Sequence, residues 1–146
     1  FDWTIDEVNG DITVTTETEP AHVHMWYSNS YEPDGRRDFR ILNADDPCKC
    51  GFEAEGYCAN LHVLWSSKKL HEDSPGVYTA HRDPEDGKYT AFFIDVVYDV
   101  DNSTEVGDWP IGHYKQFEFT TEMSIIPLDY PFPPCVGGVN CTDILV

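Results

Sequence analysis

Lys88-Tyr89-Thr90-Ala91-Phe92-Phe93-Ile94-Asp95-Val96-Val97-Tyr98-Asp99-Val100 is the run of residues whose reading decides the fold. It is crowded with β-branched and aromatic residues, and no helical period organises them. Successive strand side chains point to opposite faces. Phe92, Ile94, Val96 and Tyr98 therefore share one face, and Ala91, Phe93, Asp95, Val97 and Asp99 share the other. Apolar residues on both sides predict a central strand with both faces at least partly covered. The turn Asp83-Pro84-Glu85-Asp86-Gly87 leads into it, the proline presetting φ and the glycine accepting φ > 0.

Working outward, shorter β-rich runs occupy residues 11–16, 21–28, 37–42, 61–66 and 76–81, the third entered through Pro33-Asp34-Gly35. Residues 114–126 place Phe117, Phe119 and Met123 on one side and Gln116, Glu118 and Glu122 on the other. That alternation predicts a half-buried strand with its apolar face in the core. Nowhere do apolar residues recur at helical spacing over three turns. Seven short strands with turn signals between them predict an all-β fold, a two-sheet antiparallel sandwich of immunoglobulin or fibronectin type, with a closed barrel as the alternative. Residues 1–130 read as the sandwich domain. Residues 131–146, with Pro131, Pro133 and Pro134, read as an extended tail carrying Cys135 and Cys141.

The chain has 146 residues, 27 acidic against nine Lys plus Arg, and a formal charge of −18. Such an acidic protein repels nucleic acid and anionic membrane surfaces. An aromatic content of 14% supports a packed core. No apolar run approaches the roughly 20 residues that cross a bilayer as a helix. The start at Phe1-Asp2-Trp3, without initiator Met or signal-like segment, suggests a processed product or excised domain.

Cys48, Cys50 and Cys58 lie in a Pro/Gly-containing loop, and Cys135 and Cys141 in the tail. Asn102-Ser103-Thr104 and Asn140-Cys141-Thr142 have the N-glycosylation pattern. Together these features predict a secreted, extracellular glycoprotein with disulfide bonds. Five is odd, so one sulfur is left over for another chain; Cys135 with Cys141 is the expected local loop, and one of Cys48, Cys50 and Cys58 the expected orphan. Zinc at these cysteines is disfavoured, since no second pair with suitable spacing follows.

Several segments in order carry a resemblance. Val23-His24-Met25-Trp26-Tyr27-Ser28-Asn29, Arg37-Asp38-Phe39-Arg40, Tyr89-Thr90-Ala91-Phe92-Phe93-Ile94 and Phe119-Thr120-Thr121-Glu122 with Pro127 resemble the C-terminal part of the PhoPQ-activated pathogenicity-related proteins, a family that takes in the autocrine proliferation repressor proteins. The similarity spans residues 1–134. It implies a secreted or periplasmic protein in which an α/β-hydrolase-like domain precedes a β-sandwich, this chain corresponding to the sandwich. No Gly-x-Ser-x-Gly elbow occurs among its seven serines, so no catalytic residue is carried over. The cysteine loop and the tail depart from the family pattern.

Four groups of residues are candidates for chemistry. Arg36, Arg37 and Arg40 beside Asp38 form an anion-binding fork or, the preferred reading, structural ion pairs, with Asp95 as a further carboxylate partner of Arg37 or its neighbours. His22 and His24 share a strand face with Trp26; two imidazoles at this spacing need a third ligand, such as His62 or a carboxylate, before they hold a metal, and surface packing explains them as well. No metal site is assigned. The carboxylate-rich turns at Asp45-Asp46, Glu72-Asp73, Asp83 with Glu85-Asp86, and Asp99 with Asp101 offer oxygen ligands to calcium, but none has the ordered calcium-loop pattern, and a solvated acidic surface is preferred. The expected function is thus non-catalytic association, with a hydrolase-like partner chain or with copies of itself, through an interchain disulfide if the odd cysteine is used. Two alternatives are an accessory fragment of a secreted hydrolase or peptidase whose catalytic half is a separate chain, and a calcium-assisted structural or filament-forming module.

Overall fold

In a computed structural model, residues 1–30, 37–43, 52–54, 57–59, 63–99 and 116–129 are described. They form eleven strands and, among the described residues, no helix: β1 Asp2–Ile5, β2 Ile12–Thr15, β3 His22–Asn29, β4 Leu42–Asn43, β5 Phe52–Ala54, β6 Tyr57–Ala59, β7 Ser66–Lys69, β8 Val77–Ala80, β9 Thr90–Asp99, β10 Gln116–Thr120 and β11 Ser124–Ile126. All pairings are antiparallel. One sheet has the order β1-β2-β8, the second β10-β9-β3-β7 with β11 also on β9, and a small third one β4-β6-β5.

The two larger sheets stack as a β-sandwich. Ile12, Val14, Tyr78 and Ala80 of the first meet Val23, Met25, Phe92, Ile94, Val96 and Ile126 of the second, all buried. β9 occupies the position its sequence predicts: the Phe92, Ile94 and Val96 face is fully buried, and Ala91, Asp95 and Val97 on the opposite face are buried too. Its edges are also occupied, by eight register pairs to β3 on one side and by β10 and then β11 on the other. Thr121 bridges the break between those two strands; its N–H donates to the Ile94 carbonyl (2.9 Å), and its Oγ1 accepts from the Ile94 N–H (3.0 Å).

Several expectations are corrected. Residues 37–41 are not a strand: Asp38 Oδ1 accepts from the Arg40 backbone N–H (3.1 Å), a local turn that competes with sheet pairing. In the run at 61–66, Val63 is buried, but the strand begins at Ser66 and comprises Ser-Ser-Lys-Lys, which carries no apolar signal because it pairs at a sheet edge. The cysteine loop contains the β5–β6 hairpin, with Cys58 opposite Asn43 and Glu53. β1 went unread because its four residues are too few to show a period.

Local chemistry fixes the β1–β2 turn. Asp6 Oδ1 accepts from the N–H groups of Val8 (2.7 Å) and Asn9 (3.1 Å), which holds its carboxyl below the usual range. Gly10 follows at φ +80°, where a Cβ would stand 2.6 Å from Ile126 Cγ2 and 2.7 Å from Ser124 Oγ. Across the fold, His81 Nδ1 lies 2.6 Å from Asp11 Oδ1, which raises the imidazole pKa. Tyr78 donates to Glu72 Oε1 (3.1 Å), and burial, then Glu72, pushes its phenol up to about 12.

Gly10→Ala therefore meets both an unfavourable φ and a core side chain, and is expected to lower unfolding free energy by about 2–3 kcal/mol. Urea unfolding of the two proteins checks this.

Candidate functional site

Two regions depart from what a solvated sandwich surface would show. The first is the flank where β1 and β10, the edge strands of opposite sheets, come together. The β1–β2 register places Trp3 opposite Val14 and Ile5 opposite Ile12, so β1 directs Trp3 and Ile5 to the core side. The β10–β9 register places Phe119 opposite Val96 and Phe117 opposite Tyr98 in the same way. These rings do not close over one another fully. Phe1 packs at 5.6 Å from Trp3 and 5.7 Å from Phe119, and Phe119 at 6.1 Å from Tyr98 and 6.5 Å from Phe117. Even so, Trp3 remains 40% exposed, Phe119 46% and Phe117 59%. An open groove of about 540 Å³ runs between the edges, lined by Phe1, Glu17, Thr18, Tyr98 and Phe119.

This corrects the expectation for residues 114–126. The alternation is present, but every residue of β10 is exposed, and Met123 also faces solvent. A period of two reports which side chains share a face; whether a neighbouring layer reaches far enough to cover that face depends on the width of the facing sheet, and here that sheet has only three strands.

The second region is the outer face of the five-stranded sheet. Asp95 lies at its centre, directly opposite His24 on β3 and Thr120 on β10, with His22, Trp26 and Glu118 as diagonal neighbours. The His22 and His24 rings are 4.9 Å apart. Beyond Trp26, Phe93 stacks at 5.5 Å on Trp65, and Trp65 at 6.4 Å on Phe39. Asp95 is 4% exposed, and its Oδ1 accepts no hydrogen bond. Burial raises its pKa, Glu118 raises it further, and the Trp26 indole N–H and the His22 charge oppose the shift.

Arg37 and Arg40, the described arginines of the expected fork, make the following contacts. Arg40 binds Asp38 through both guanidinium contacts, Nε to Oδ1 at 2.9 Å and Nη2 to Oδ2 at 2.6 Å. Arg37 donates to the backbone carbonyls of Pro127 (3.3 Å) and Asp129, and its guanidinium sits 5.0 Å from the Tyr89 ring centre. Asp95 has His24 and Thr120 directly opposite and His22, Trp26 and Glu118 diagonally beside it, whereas Arg37 and Arg40 lie in a segment outside the strands and make the contacts just given. Among the described residues no group of three or more His, Cys, Asp or Glu side chains is arranged to hold a metal. Glu72 accepts from the Gly76 N–H and Tyr78, and Glu85 binds Lys88 Nζ (2.6 Å) and the Asn29 amide, so these turn carboxylates serve local structure. Cys48, Cys50, Cys135, Cys141, Asn102, Asn140, Arg36 and His62 lie outside the described residues, and of Cys58 the backbone alone is described.

Asp95 has a direct consequence for stability. Its pKa is higher folded than unfolded, so its stabilising contribution is complete below the unfolded carboxyl range near 4 and is lost as pH rises through the folded value. Asp95→Asn, which cannot ionise, is expected to be more stable than wild type at pH 7 by about 1–3 kcal/mol, the range for relieving one uncompensated buried polar group. The advantage shrinks on acidification. Thermal melts of both proteins from pH 4 to 8 check it, and His81→Gln separates the contribution of the exposed His81–Asp11 pair, which runs in the same direction, fading as pH rises through its own raised value.

The chain is similar to Autocrine proliferation repressor protein A of Dictyostelium discoideum, 27% identical over 150 residues. The alignment spans 98% of this chain and 27% of that protein, so the chain covers about a quarter of the curated relative it matches. No family model and no solved structure matches the chain.

Proposed function

We propose that this chain is a non-catalytic association module whose contact surface is the aromatic flank of β1 and β10. The observation that carries the reading is that Trp3, Phe117 and Phe119, all on the core-facing sides of their strands, remain 40–59% exposed. Contiguous exposed aromatic surface is costly in water and is typical of interfaces, where large rings supply most of the binding energy. Glu17 in the groove and a net charge of −18 favour a partner segment that is apolar and cationic.

The resemblance to the PhoPQ-activated family supports a hydrolase-like domain or chain as that partner, and the quarter-length match to the relative fits a module within a larger assembly. The name of that relative, an autocrine repressor of proliferation, supports secretion and a regulatory setting. Disulfides and glycans at the residues named above belong to the same reading, including a covalent link through the fifth cysteine.

Native mass measured on unreduced material tests this. The wild-type chain is expected in an assembly larger than one chain, and Phe117→Ser/Phe119→Ser is expected to weaken that assembly more than tenfold while costing only about 1 kcal/mol of stability per exposed site. Phe92→Ala, in the core, is expected to do the reverse, lowering stability by about 3–5 kcal/mol. A wild-type monomer with every thiol titratable overturns the reading.

A further inference from the structure

We propose that the partner enters as an extended segment of another protein that hydrogen-bonds to the outer edge of β10 as an added strand, its side chains alternating apolar with basic. This rests on the aromatic-flank reading above and adds to it the backbone that the partner grips.

The direction in which β10 turns its backbone follows from the hydrogen bonds around β9. In an antiparallel ladder, residue pairs that exchange backbone hydrogen bonds alternate with pairs that do not. The Thr121 N–H donates to the Ile94 carbonyl (2.9 Å), and the register continues that alternation to Phe119 with Val96 and Phe117 with Tyr98. On the other side of β9, the Ser30 N–H donates to the Tyr89 carbonyl (2.7 Å), so the odd-numbered residues of β9 face β3 and the even-numbered ones face β10. From both sides, Phe117 and Phe119 direct their N–H and C=O groups to β9, and Gln116, Glu118 and Thr120 direct theirs away from the sheet.

An open row of such groups is a template for pairing, and sheet edges are normally blunted by charge, proline or cover. β7 is Ser-Ser-Lys-Lys, with Lys68 and Lys69 exposed. β8 is covered by its own chain, where the Asp73 N–H donates to the Val77 carbonyl and the Val77 N–H to the Ser74 carbonyl, both at 2.9 Å. β10, Gln-Phe-Glu-Phe-Thr, contains no lysine, arginine or proline, and among the described residues it pairs with β9 alone. β1 is unguarded too, but it is one residue shorter, and Trp3 is less exposed than Phe117 or Phe119.

The side chains of β10 select the occupant. An entering strand sets alternate residues beside Phe117 and Phe119, and the intervening ones beside Gln116, Glu118 and Thr120, on the sheet face that also carries Asp95 and Asp99. Apolar residues suit the first row, and lysine or arginine the second. A second copy of this chain fits worse. Antiparallel pairing of two β10 edges about Glu118 sets the two Glu118 carboxylates opposite one another, between molecules of net charge −18 each.

Calorimetric titration of the full chain with a synthetic peptide of about nine residues, alternating lysine with valine or phenylalanine, tests this. The peptide is expected to bind. Methylating its lysine amides blocks one backbone edge, and methylating its apolar residues' amides blocks the other; one of these two peptides is expected to bind about tenfold or more weakly and the other within about threefold of the parent. Hydrogen exchange is expected to show the Glu118 and Thr120 amides gaining about tenfold protection or more on binding, and those of Trp3 and Ile5 none. Glu118→Pro removes an outward N–H, which an edge strand tolerates, so it is expected to abolish binding while the Val96 amide stays protected. Glu118→Gln keeps the edge and is expected to lose about threefold. No binding by the parent peptide, equal binding by the two methylated peptides, or protection at Trp3 and Ile5 in place of Glu118 and Thr120 overturns the proposal. Binding that needs Phe117 and Phe119 but leaves the outward amides unprotected sinks strand addition and keeps the flank reading; protected amides with Phe117→Ser/Phe119→Ser binding as wild type does the opposite.

Discussion

The strand β9 is paired along both edges and, over most of its length, covered on both faces, and the rest of the described structure is organised around that double constraint. On its inner face, Phe92, Ile94 and Val96 are the floor against which Ile12, Val14, Tyr78 and Ala80 of the three-stranded sheet pack. On its edges, a buried backbone must find partners for every N–H and C=O. β3 does so by continuous pairing, and β10, Thr121 and β11 do so in relay, with the Thr121 hydroxyl and N–H bridging the break at Ile94.

The same strand creates the chemistry of the outer face. A sheet of the sandwich type commonly shows polar residues there. Here Val97 and Ala91 are buried, the Trp26, Phe93 and Trp65 rings continue the apolar surface, and Asp95 is enclosed among them. Burial in that setting disfavours the charged form and raises the Asp95 pKa.

The two halves of the flank are complementary in the same sense. β1 and β10 belong to different sheets, and each directs aromatic side chains inward to a layer that ends before it covers them. The narrow three-stranded sheet supplies enough surface for Phe92 and Ile94 but not for Phe117 and Phe119. On the proposed association reading, an acidic chain with a partly open aromatic edge suits a cationic, apolar partner better than another polyanion.

The sequence by itself determined the all-β class, the face assignment of β9 and the placing of His22, His24 and Trp26 on one side of β3, because alternation is a property of each strand alone. Register and layer width are properties of pairs of strands and sheets, and they were decided in the tertiary structure. They turned Phe117 and Phe119 from core residues into a surface, sent Arg37 to the carbonyls of Pro127 and Asp129, and gave Asp95 the company of Glu118. β7 and β1 escaped a pattern reading for a related reason: Ser66–Lys69 and Asp2–Ile5 are strands because a neighbour's backbone offers hydrogen bonds, and a partner strand leaves no mark in four residues of its own sequence.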